Sequence, residues 1–366
     1  MQENQPLTKN AMRETELLEN VVLVAGVHGV SGLAAARHWA SMEGTRVYGL
    51  ARRTSPLPSE IEYVNADLLD RDDVFRKLGK IDGVTHLVFG AYIWKPTAAE
   101  TTEVNVTILK NLLDAVEERS SSLRHVTFYQ GGKAYGADLG PFKTPAREDD
   151  PRLMPPNFYY AQEDFLRMRQ QGQPWHWSAL RPEATFGFGL GNPMNLGMSI
   201  AVYATISKEL GLPLRFPGTE KAYRALYQVT SAEILAKATV WAGRSPAANN
   251  EIFNITNGDY FRWQHLWPCI AGMFDMPVAD PVPTPLSVYM ADKEPLWDAI
   301  VNKYGLRPIP YNQAASWPFA DAIFRLEYDN ITSTIKARRA GFHDCIDTED
   351  MVRDFLKELR TERIIP

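Results

Sequence analysis

Residues 21–53, VVLVAGVHGVSGLAAARHWASMEGTRVYGLARR, decide the fold of this chain. The small and apolar residues 21–25 predict a buried parallel strand, and residues 33–42 predict a helix before a second strand over 46–50. Three glycines spaced GxxGxxG join the first strand to the helix: Gly26, Gly29 and Gly32. This βαβ unit is typical of dinucleotide-binding folds, because the glycines admit the pyrophosphate and the helix N-terminus offers it unpaired N–H groups.

The residues after the second strand indicate which dinucleotide this unit would hold. Arg52 and Arg53 stand where an NAD-dependent enzyme carries an acid for the ribose 2′-hydroxyl. Since arginine pairs with a 2′-phosphate, the sequence favours NADPH over NADH. Two alternatives stay open from the residues alone: the arginines are solvated surface charges, or the glycine turn belongs to an α/β protein that binds no nucleotide.

The composition is that of a globular protein and excludes several classes of function. The 366 residues suffice for a Rossmann domain plus a smaller lobe, and a net charge of −5 gives no electrostatic case for nucleic acid. No stretch reaches the length of a membrane helix, and residues 1–19 lack the apolar segment of a secretory signal. Cys269 and Cys345 are far apart, and HExxH and CxxC are absent, so we expect a cytoplasmic protein without a metal site.

Strands and helices alternate through about residue 180, which predicts a Rossmann-type, doubly wound parallel sheet. Further strands are predicted over 60–64, 85–89, 124–129 and 176–180. Beyond them, helices are predicted over 193–212, 230–243, 262–274, 285–305 and 346–360. We therefore expect an α/β fold with a flexible arm over 1–19, an NADPH-binding domain over 20–190, and a smaller, mostly helical substrate lobe over 191–366, from which some segments return to the sheet.

Residues at the carboxyl ends of the strands are candidates for holding the cofactor, because ligands of a doubly wound sheet bind at that edge. Beyond the three glycines, these candidates are His28, Val30, Leu68, Gly90, Ala91 and Gln130. Asp67, just past the third strand, has two interpretations of equal weight. It contacts the adenine, or it caps the helix that follows.

Two residues at the same edge have side chains suited to a reduction. Lys133 lies on the loop over 130–136 that follows the fifth strand, and Tyr159 lies at the start of the helix before the sixth. A tyrosine hydroxyl is a neutral donor whose pKa is normally about 10, and a nearby ammonium favours its charged form. Such a pair can stabilise an oxyanion that develops when hydride reaches a carbonyl or a conjugated carbonyl.

Strings spread from residue 21 to the C-terminus carry a family resemblance: AGVHGVSG, YGLARR, GGKAYG, PNFYYAQED, ALRPEATFGFG with MNLGMSIAVYA, EIFNITNGDYFRWQHLW and KEPLWDAIV. On them the chain resembles the progesterone 5β-reductase/iridoid synthase family of extended short-chain dehydrogenases/reductases. The resemblance implies that Lys133 and Tyr159 are catalytic, that Tyr160 is a weaker second candidate, and that Arg52 and Arg53 select NADPH. It also implies that the RPxxxFG string lines the nicotinamide end of the cofactor through Arg181, Pro182 and Phe186.

The chain lacks the YxxxK pair of ordinary short-chain reductases, since Glu163 stands four residues after Tyr159. The resemblance implies that the catalytic lysine comes from the earlier loop, and it favours 1,4-reduction of enones or enals, steroid-like ones among them. Hydride would add to the β-carbon while Tyr159 and Lys133 stabilise the enolate oxygen. Two alternatives stay open: an NADPH-dependent carbonyl (1,2-) reductase, and a nucleotide-sensing Rossmann protein without chemistry.

The substrate wall and the partners are predicted less directly. A small apolar enone needs an apolar wall, for which the candidates are Trp94, Phe142, Met198, Tyr203, Trp317 and Phe319. Packing in the core or at an interface explains each of these side chains equally well. By analogy with extended short-chain enzymes, a homodimer would form through the helices over 98–118 and 158–170.

Overall fold

A computed structural model describes residues 20–52, 57–192 and 194–366, so the predicted arm over 1–19 and Arg53 lie outside the described residues. The elements of the first half of the chain are β1 Asn20–Ala25, α1 Val30–Ala40, β2 Thr45–Ala51, β3 Ile61–Asn65, α2 Arg71–Leu78, β4 His86–Phe89, α3 Ala98–Arg119, β5 His125–Tyr129, a 3₁₀ helix Gly132–Tyr135, α4 Phe158–Gln170 and β6 His176–Pro182. Those of the second half are β7 Thr185–Phe186, α5 Leu196–Glu209, β8 Leu214–Arg215, α6 Glu220–Arg224, β9 Leu226–Tyr227, β10 Thr230–Ser231, α7 Ala232–Arg244, a 3₁₀ helix Pro246–Ala248, β11 Glu251–Ile255, β12 Phe261–Arg262, α8 Trp263–Met273, β13 Val278–Ala279, α9 Leu286–Tyr289, α10 Glu294–Tyr304, α11 Tyr311–Ala314, α12 Trp317–Phe324, α13 Ile335–Arg339 and α14 Thr348–Thr361.

The central sheet of the described residues has seven strands in the order β3-β2-β1-β4-β5-β6-β11. Every pair of neighbours is parallel, so the predicted doubly wound Rossmann sheet is confirmed. All six residues of β1 are buried, which explains the uninterrupted apolar run that predicted it. Ala25 at the end of β1 pairs with Leu50 of β2 and Phe89 of β4, so these three strands end at one edge.

Helices cover both faces of this sheet. Val22 and Val24 of β1 join one buried cluster with Trp39 of α1, while Leu23 joins the opposite cluster with Leu112 of α3. The split follows from the strand itself, whose successive side chains point to opposite faces. The two clusters fix α1 and α3 on opposite sides of the edge where the strands end.

The C-terminal lobe has its own core, built around aromatic rings. The ring centroid of Phe216 lies 5.3 Å from that of Trp267 in α8 and 5.2 Å from that of Phe324 in α12. All three side chains are fully buried, and they hold the helices of the lobe together. Among the described residues, no helix has both the length and the apolar character needed to cross a membrane.

Two segments of the range predicted for the lobe belong to the sheet. β11 pairs with β6, and α7 covers the same end through Ile234 and Leu235, which pack with Phe253 of β11. The apolar side chains of both segments are thereby buried against the Rossmann core rather than against the lobe.

Three local predictions are wrong in detail. The helix predicted over 285–305 is two helices, because Pro295 occupies the first turn of α10 and could not lie within a continuous helix. The predicted loop over 130–136 contains a 3₁₀ helix, Gly132–Tyr135. α1 begins at Val30 instead of residue 33, directly after the glycine turn.

Candidate active site

The glycine turn brings three chain segments into close approach. Gly26 has a φ of +80°, and a Cβ there would lie 2.7 Å from the carbonyl oxygen of Gly90. A Cβ on Gly32 would lie 2.3 Å from the carbonyl oxygen of Gly26, so α1 packs on the turn only because residue 32 is glycine. Gly29 is the N-cap of α1 and supplies no side-chain cap, which leaves the first N–H groups of the helix for a ligand. The backbone therefore forms the cradle that a pyrophosphate requires.

A cleft of about 440 Å³ opens over this turn, at the edge where the strands end. Its volume is in the range of small-molecule sites. The predicted cofactor residues that line it are Gly26, His28, Gly29, Arg52, Asp67, Leu68, Gly90 and Ala91. The structure thus brings together residues from the ends of β1, β2, β3 and β4, which lie up to 65 positions apart in the chain.

The mouth of the cleft at the end of β2 carries the exposed side chain of Arg52. Asn65 of β3 holds the backbone there, since its amide nitrogen donates to the carbonyl oxygen of Arg52 at 2.8 Å. The Tyr63 hydroxyl donates to the carbonyl oxygen of Ala51 at 3.1 Å, and the Tyr63 ring lies 5.8 Å from that of His28. β2 and β3 therefore present a cation beside the glycine turn.

The helix-capping interpretation of Asp67 is wrong. Asp70 is the N-cap of α2, with its side chain accepting from the N–H groups of Asp72 and Asp73, each at 3.1 Å. Asp67 accepts instead from the N–H of Leu69 at 3.1 Å and lines the cleft. The cap lies closer to the helix than the sequence pattern suggests, which leaves the Asp67 carboxylate at the ligand edge.

Asn157 connects the two predicted catalytic residues. Its side-chain oxygen accepts from the Tyr159 N–H at 3.0 Å and thereby caps α4. Its amide nitrogen donates to the Lys133 carbonyl oxygen at 3.1 Å, which ties the start of α4 to the 3₁₀ helix after β5. The sequence analysis missed this residue, although an asparagine directly before a helical run is a recognisable capping signal.

Tyr159 lies in an aromatic setting. Its ring centroid is 4.1 Å from that of Phe158, which in turn is 5.2 Å from that of Tyr92 at the wall of the cleft. Burial raises the pKa of Tyr159, Tyr92 and Glu183 raise it further, and Arg181 opposes the shift. Tyr159 is therefore a neutral hydrogen-bond donor at ordinary pH.

Lys133 lies at the exposed end of this arrangement. Its side chain is exposed, and burial raises the pKa of Tyr159, so the shift toward the charged form that a nearby ammonium and the nicotinamide ring are expected to cause stays a prediction. The backbone beside Lys133 nevertheless touches the site, because a Cβ on Gly131 would lie 3.3 Å from the Tyr159 hydroxyl and 3.4 Å from the carbonyl oxygen of Pro182. The glycine lets the loop that carries the lysine pass directly against the tyrosine.

Arg181 and Gln130 support the site from behind. Arg181 is 5% exposed, and its guanidinium donates to Gln130 Oε1 at 2.6 Å, to the Tyr135 hydroxyl at 2.9 Å and to Glu163 Oε2 at 3.4 Å. Gln130 donates in turn to the Tyr159 carbonyl oxygen at 3.1 Å. These side chains are predicted to contact the cofactor, and that contact stays a prediction. Their polar groups are engaged with protein partners, so they hold the start of α4 in place.

Glu163 shows what replaces the lysine of an ordinary YxxxK pair. Its carboxylate is 3% exposed and forms ion pairs with Arg152 at 2.9 Å, Arg167 at 3.0 Å and Arg181 at 3.4 Å. A lysine at this position would meet three guanidinium groups. The position that carries a cation in an ordinary YxxxK pair therefore carries an anion in this chain.

Two further cofactor candidates lie away from the cleft. Val30 and Phe186 line a separate groove of about 400 Å³ behind α1, together with Leu33 and Phe355. Gly187 separates them from α7, since a Cβ there would lie 2.5 Å from a side-chain atom of the helix. Both side chains serve packing around α1.

The predicted substrate wall is not assembled around the cleft, whose lining includes none of its six candidates. Met198 is 1% exposed in the core of the lobe, and Trp317 and Phe319 belong to the same cluster. Phe142 stacks on Tyr135 at 6.5 Å between ring centroids. Trp94 is 68% exposed, and Tyr203 packs against the lobe core and donates to a backbone carbonyl oxygen of β8 at 3.1 Å. The apolar residues of this list mainly fill the core of the C-terminal lobe. Residue type alone cannot distinguish a side chain that lines a substrate pocket from one that packs in a core.

The cleft also contains residues that were not among the predicted site residues. They include Tyr92, Ile93, Gly191, Asn192 and Met194. The last three precede α5, far in sequence from the strands whose ends form the cleft. Among the described residues, no group of three or more His, Cys, Asp and Glu side chains is placed to hold a metal ion.

Comparisons with known proteins agree with the Rossmann fold of this chain. A family model described as a PRISE-like Rossmann-fold domain matches residues 65–366. Among curated relatives, "(S)-8-oxocitronellyl enol synthase CYC2" of Camptotheca acuminata is 34% identical over 95% of this chain and 94% of the relative, and "3-oxo-Delta(4,5)-steroid 5-beta-reductase" of Arabidopsis thaliana is 32% identical over 96% and 95%. Among solved structures, a UDP-glucose 4-epimerase of Thermus thermophilus in complex with NAD superposes with a TM-score of 0.63 at 19% identity, over 93% of this chain and 99% of that one, which is a likeness of fold.

Proposed function

The chain belongs to the family of PRISE-like Rossmann-fold proteins, and from that premise we propose that it is an oxidoreductase that reduces the C=C bond of α,β-unsaturated carbonyl compounds with NADPH. The relatives named above are a reductase of a steroid enone and an enol synthase, and neither name points to a carbonyl (1,2-) reductase or a sensing protein. The observation that carries the proposal is the neutral, half-buried Tyr159 held beside the loop of Lys133 at the edge of a dinucleotide cleft.

The residues of the site suit this reaction. When bound, the nicotinamide supplies a hydride for the β-carbon of the substrate. The electrons of the C=C bond then move toward the carbonyl oxygen, where Tyr159 donates a hydrogen bond that strengthens as negative charge develops. A proton from water adds to the α-carbon of this enolate and completes the saturated carbonyl compound. Because the pKa of Tyr159 is raised, the hydroxyl keeps its proton while it does so. Lys133 contributes a positive charge from the rim of the site.

Turnover by variants tests this assignment. We expect Tyr159→Phe to lower kcat for an enone by about 10²–10³-fold, because it removes the donor to the enolate oxygen, and Lys133→Ala to lower it less. Tyr304→Phe and Lys303→Ala on the exposed face of α10 are the matched controls and should keep wild-type turnover. Full turnover by both Tyr159→Phe and Lys133→Ala would refute the roles given to these residues.

The product distinguishes the proposal from the first alternative. With an enone such as 2-cyclohexen-1-one, 1,4-reduction yields a saturated ketone, whereas a carbonyl reductase yields an allylic alcohol. NADPH oxidation with an open-chain enal and a steroid enone in the same panel would rank the substrates by size. Binding of NADPH without oxidation by any enone would favour the sensing role instead.

The choice of NADPH over NADH rests on Arg52 at the mouth of the cleft. Gly26 and Gly32 leave the space that the pyrophosphate needs, which supports a nicotinamide dinucleotide of either kind. A guanidinium beside the ribose favours the 2′-phosphate. Arg52→Ala should therefore weaken NADPH binding about tenfold and leave NADH binding nearly unchanged, as measured by fluorescence titration. Equal losses for both dinucleotides would contradict the selection by Arg52.

Two further properties, the oligomeric state and the location, belong to the proposal. A homodimer through α3 and α4 follows from the analogy with extended short-chain enzymes, and gel filtration that gives a monomer at micromolar concentration would contradict it. A cytoplasmic location suits Cys269 and Cys345, which are both free of a disulfide.

A further inference from the structure

The Glu183 carboxyl lies against the loop that carries Lys133. A Cβ on Gly132 would lie 3.0 Å from Glu183 Oε1 and 3.2 Å from Oε2. A Cβ on the preceding residue, Gly131, would lie 3.3 Å from the Tyr159 hydroxyl. Two successive glycines therefore let the Glu183 carboxyl and the hydroxyl of the proposed catalytic tyrosine both approach this loop closely.

The setting of Glu183 is enclosed and poor in positive charge. The residue is 7% exposed, and Asn330 donates to its Oε2 at 3.2 Å. Among the described residues, no lysine or arginine forms an ion pair with this carboxyl, although Arg181 lies two positions earlier on β6 and is paired with Glu163. The carboxyl is therefore buried with a neutral partner where most buried carboxylates have a cation.

Two other polar side chains lie around it. Tyr227 and Asn330 are both buried, and Asn330 is close enough to Tyr227 to oppose the rise in the pKa of its hydroxyl. Tyr227 on β9 is close enough for Glu183 to raise its pKa, after burial as the main cause. The titratable groups that interact with Glu183 are thus Tyr227 from β9 and Tyr159 from α4.

The charge of Glu183 acts on the proposed chemistry. Burial raises the pKa of Glu183 to about 7, and the hydrogen bond from Asn330 opposes that shift. The ionised carboxylate contributes to the raised pKa of Tyr159, after burial and Tyr92. A negative charge there also opposes the negative charge that develops on an enolate oxygen held by Tyr159.

We propose that Glu183 is a positioning residue of the reduction: its neutral carboxyl supports Gly131 and Gly132 beside Tyr159, and its ionisation weakens the stabilisation of the enolate oxygen. This inference rests on the proposed function and adds a proton-dependent control to the same site. The control operates through Tyr159, because the Glu183 carboxyl and the tyrosine hydroxyl both lie against this loop and Glu183 acts on the pKa of the tyrosine.

The test is the pH profile of the single-turnover rate of NADPH oxidation with an enone, compared with the profile of Glu183→Gln. In the wild type the rate should fall on the order of threefold to tenfold as the pH rises through about 7. Glu183→Gln cannot ionise and should lack this decrease, while its NADPH affinity stays that of the wild type. Glu148→Gln is the matched control, because Glu148 is another carboxyl whose pKa burial raises but which accepts from Asn254 of β11, and it should keep the decrease.

A second variant keeps the test decisive if Glu183→Gln folds poorly. Asn330→Leu removes the donor that favours the ionised carboxylate, so the decrease in rate should move to higher pH. A decrease that is unchanged in both Glu183→Gln and Asn330→Leu would overturn the inference, and so would a flat profile in a wild type that turns over the enone. A wild type without enone turnover at any pH would overturn the proposed function and this inference with it.

Discussion

Replacing Glu183 by glutamine should change how the stability of the protein depends on pH. Burial raises the pKa of Glu183 from its ordinary value of 4.5 to about 7 in the folded protein. Between these values the folded protein keeps a proton that the unfolded chain has lost. The free energy of unfolding therefore decreases as the pH rises from about 4.5 to about 7, and the contribution of this group is constant above that range.

The magnitude follows from the difference between the two pKa values. At about 1.4 kcal/mol per pH unit, ionised Glu183 destabilises the folded protein by about 3 kcal/mol at pH values above 7. The residue is 7% exposed, so solvent does little to screen this effect. Glutamine has the same size and still accepts a hydrogen bond from Asn330, but it cannot ionise. The variant should gain about 3 kcal/mol relative to the wild type between about pH 4.5 and about pH 8.

Urea unfolding of both proteins at about pH 5 and about pH 8 measures this gain, provided that the m-values agree. Glu118→Gln, an exposed residue near the end of α3, is the control and should differ from the wild type by the same small amount at both pH values. If Glu183→Gln also differs from the wild type equally at both pH values, then Glu183 is not a proton-binding group of the folded protein and the reasoning fails.

Two further predictions concern the cradle and the catalytic loop. Gly32→Ala should lower NADPH affinity at least tenfold in a fluorescence titration, because the new methyl group would lie 2.3 Å from a backbone oxygen, whereas Gly272→Ala in α8 meets nothing within 4 Å and should have no effect. Asn157→Ala should reduce kcat with little change in NADPH affinity, because α4, which carries Tyr159 in its first turn, loses its N-cap. Asp347→Ala is the control: it removes the N-cap of α14 at a similar cost of about 1 kcal/mol in stability and should leave kcat unchanged.

The predictions for the fold succeeded where the physical cause is local in sequence. The apolar run of β1 and the GxxGxxG turn both lie within one βαβ unit, and the structure confirms the parallel sheet they predict. The single helix over 285–305 failed although its cause is also local, since Pro295 could have marked the start of α10. The prediction for this stretch used the helical spacing of its apolar residues and overlooked the proline that interrupts it.

For the site, the sequence predicted residue types that suit the chemistry, but it did not predict their pKa values or their hydrogen-bond partners. Tyr159 and Lys133 were found through the strings they belong to, and the backbone does hold them together through Asn157. The raised pKa of Tyr159 was not predicted, because it depends on burial, on Tyr92 and on Glu183, which follows β6. The three buried hydrogen-bond partners of Arg181 were not predicted either, because its position in the RPxxxFG string says nothing about them.

The sequence by itself determined the order of strands and helices, the glycine turn and the identity of the proposed catalytic residues. These depend on backbone conformation, on the spacing of apolar side chains and on the types of residue present, all of which are properties of short stretches. Only the tertiary structure decided which polar groups are desolvated and what they meet. Glu183 shows the reason: its hydrogen-bond partner Asn330 lies 147 positions away, and its burial depends on a lobe and a sheet that come together only when the whole chain is folded.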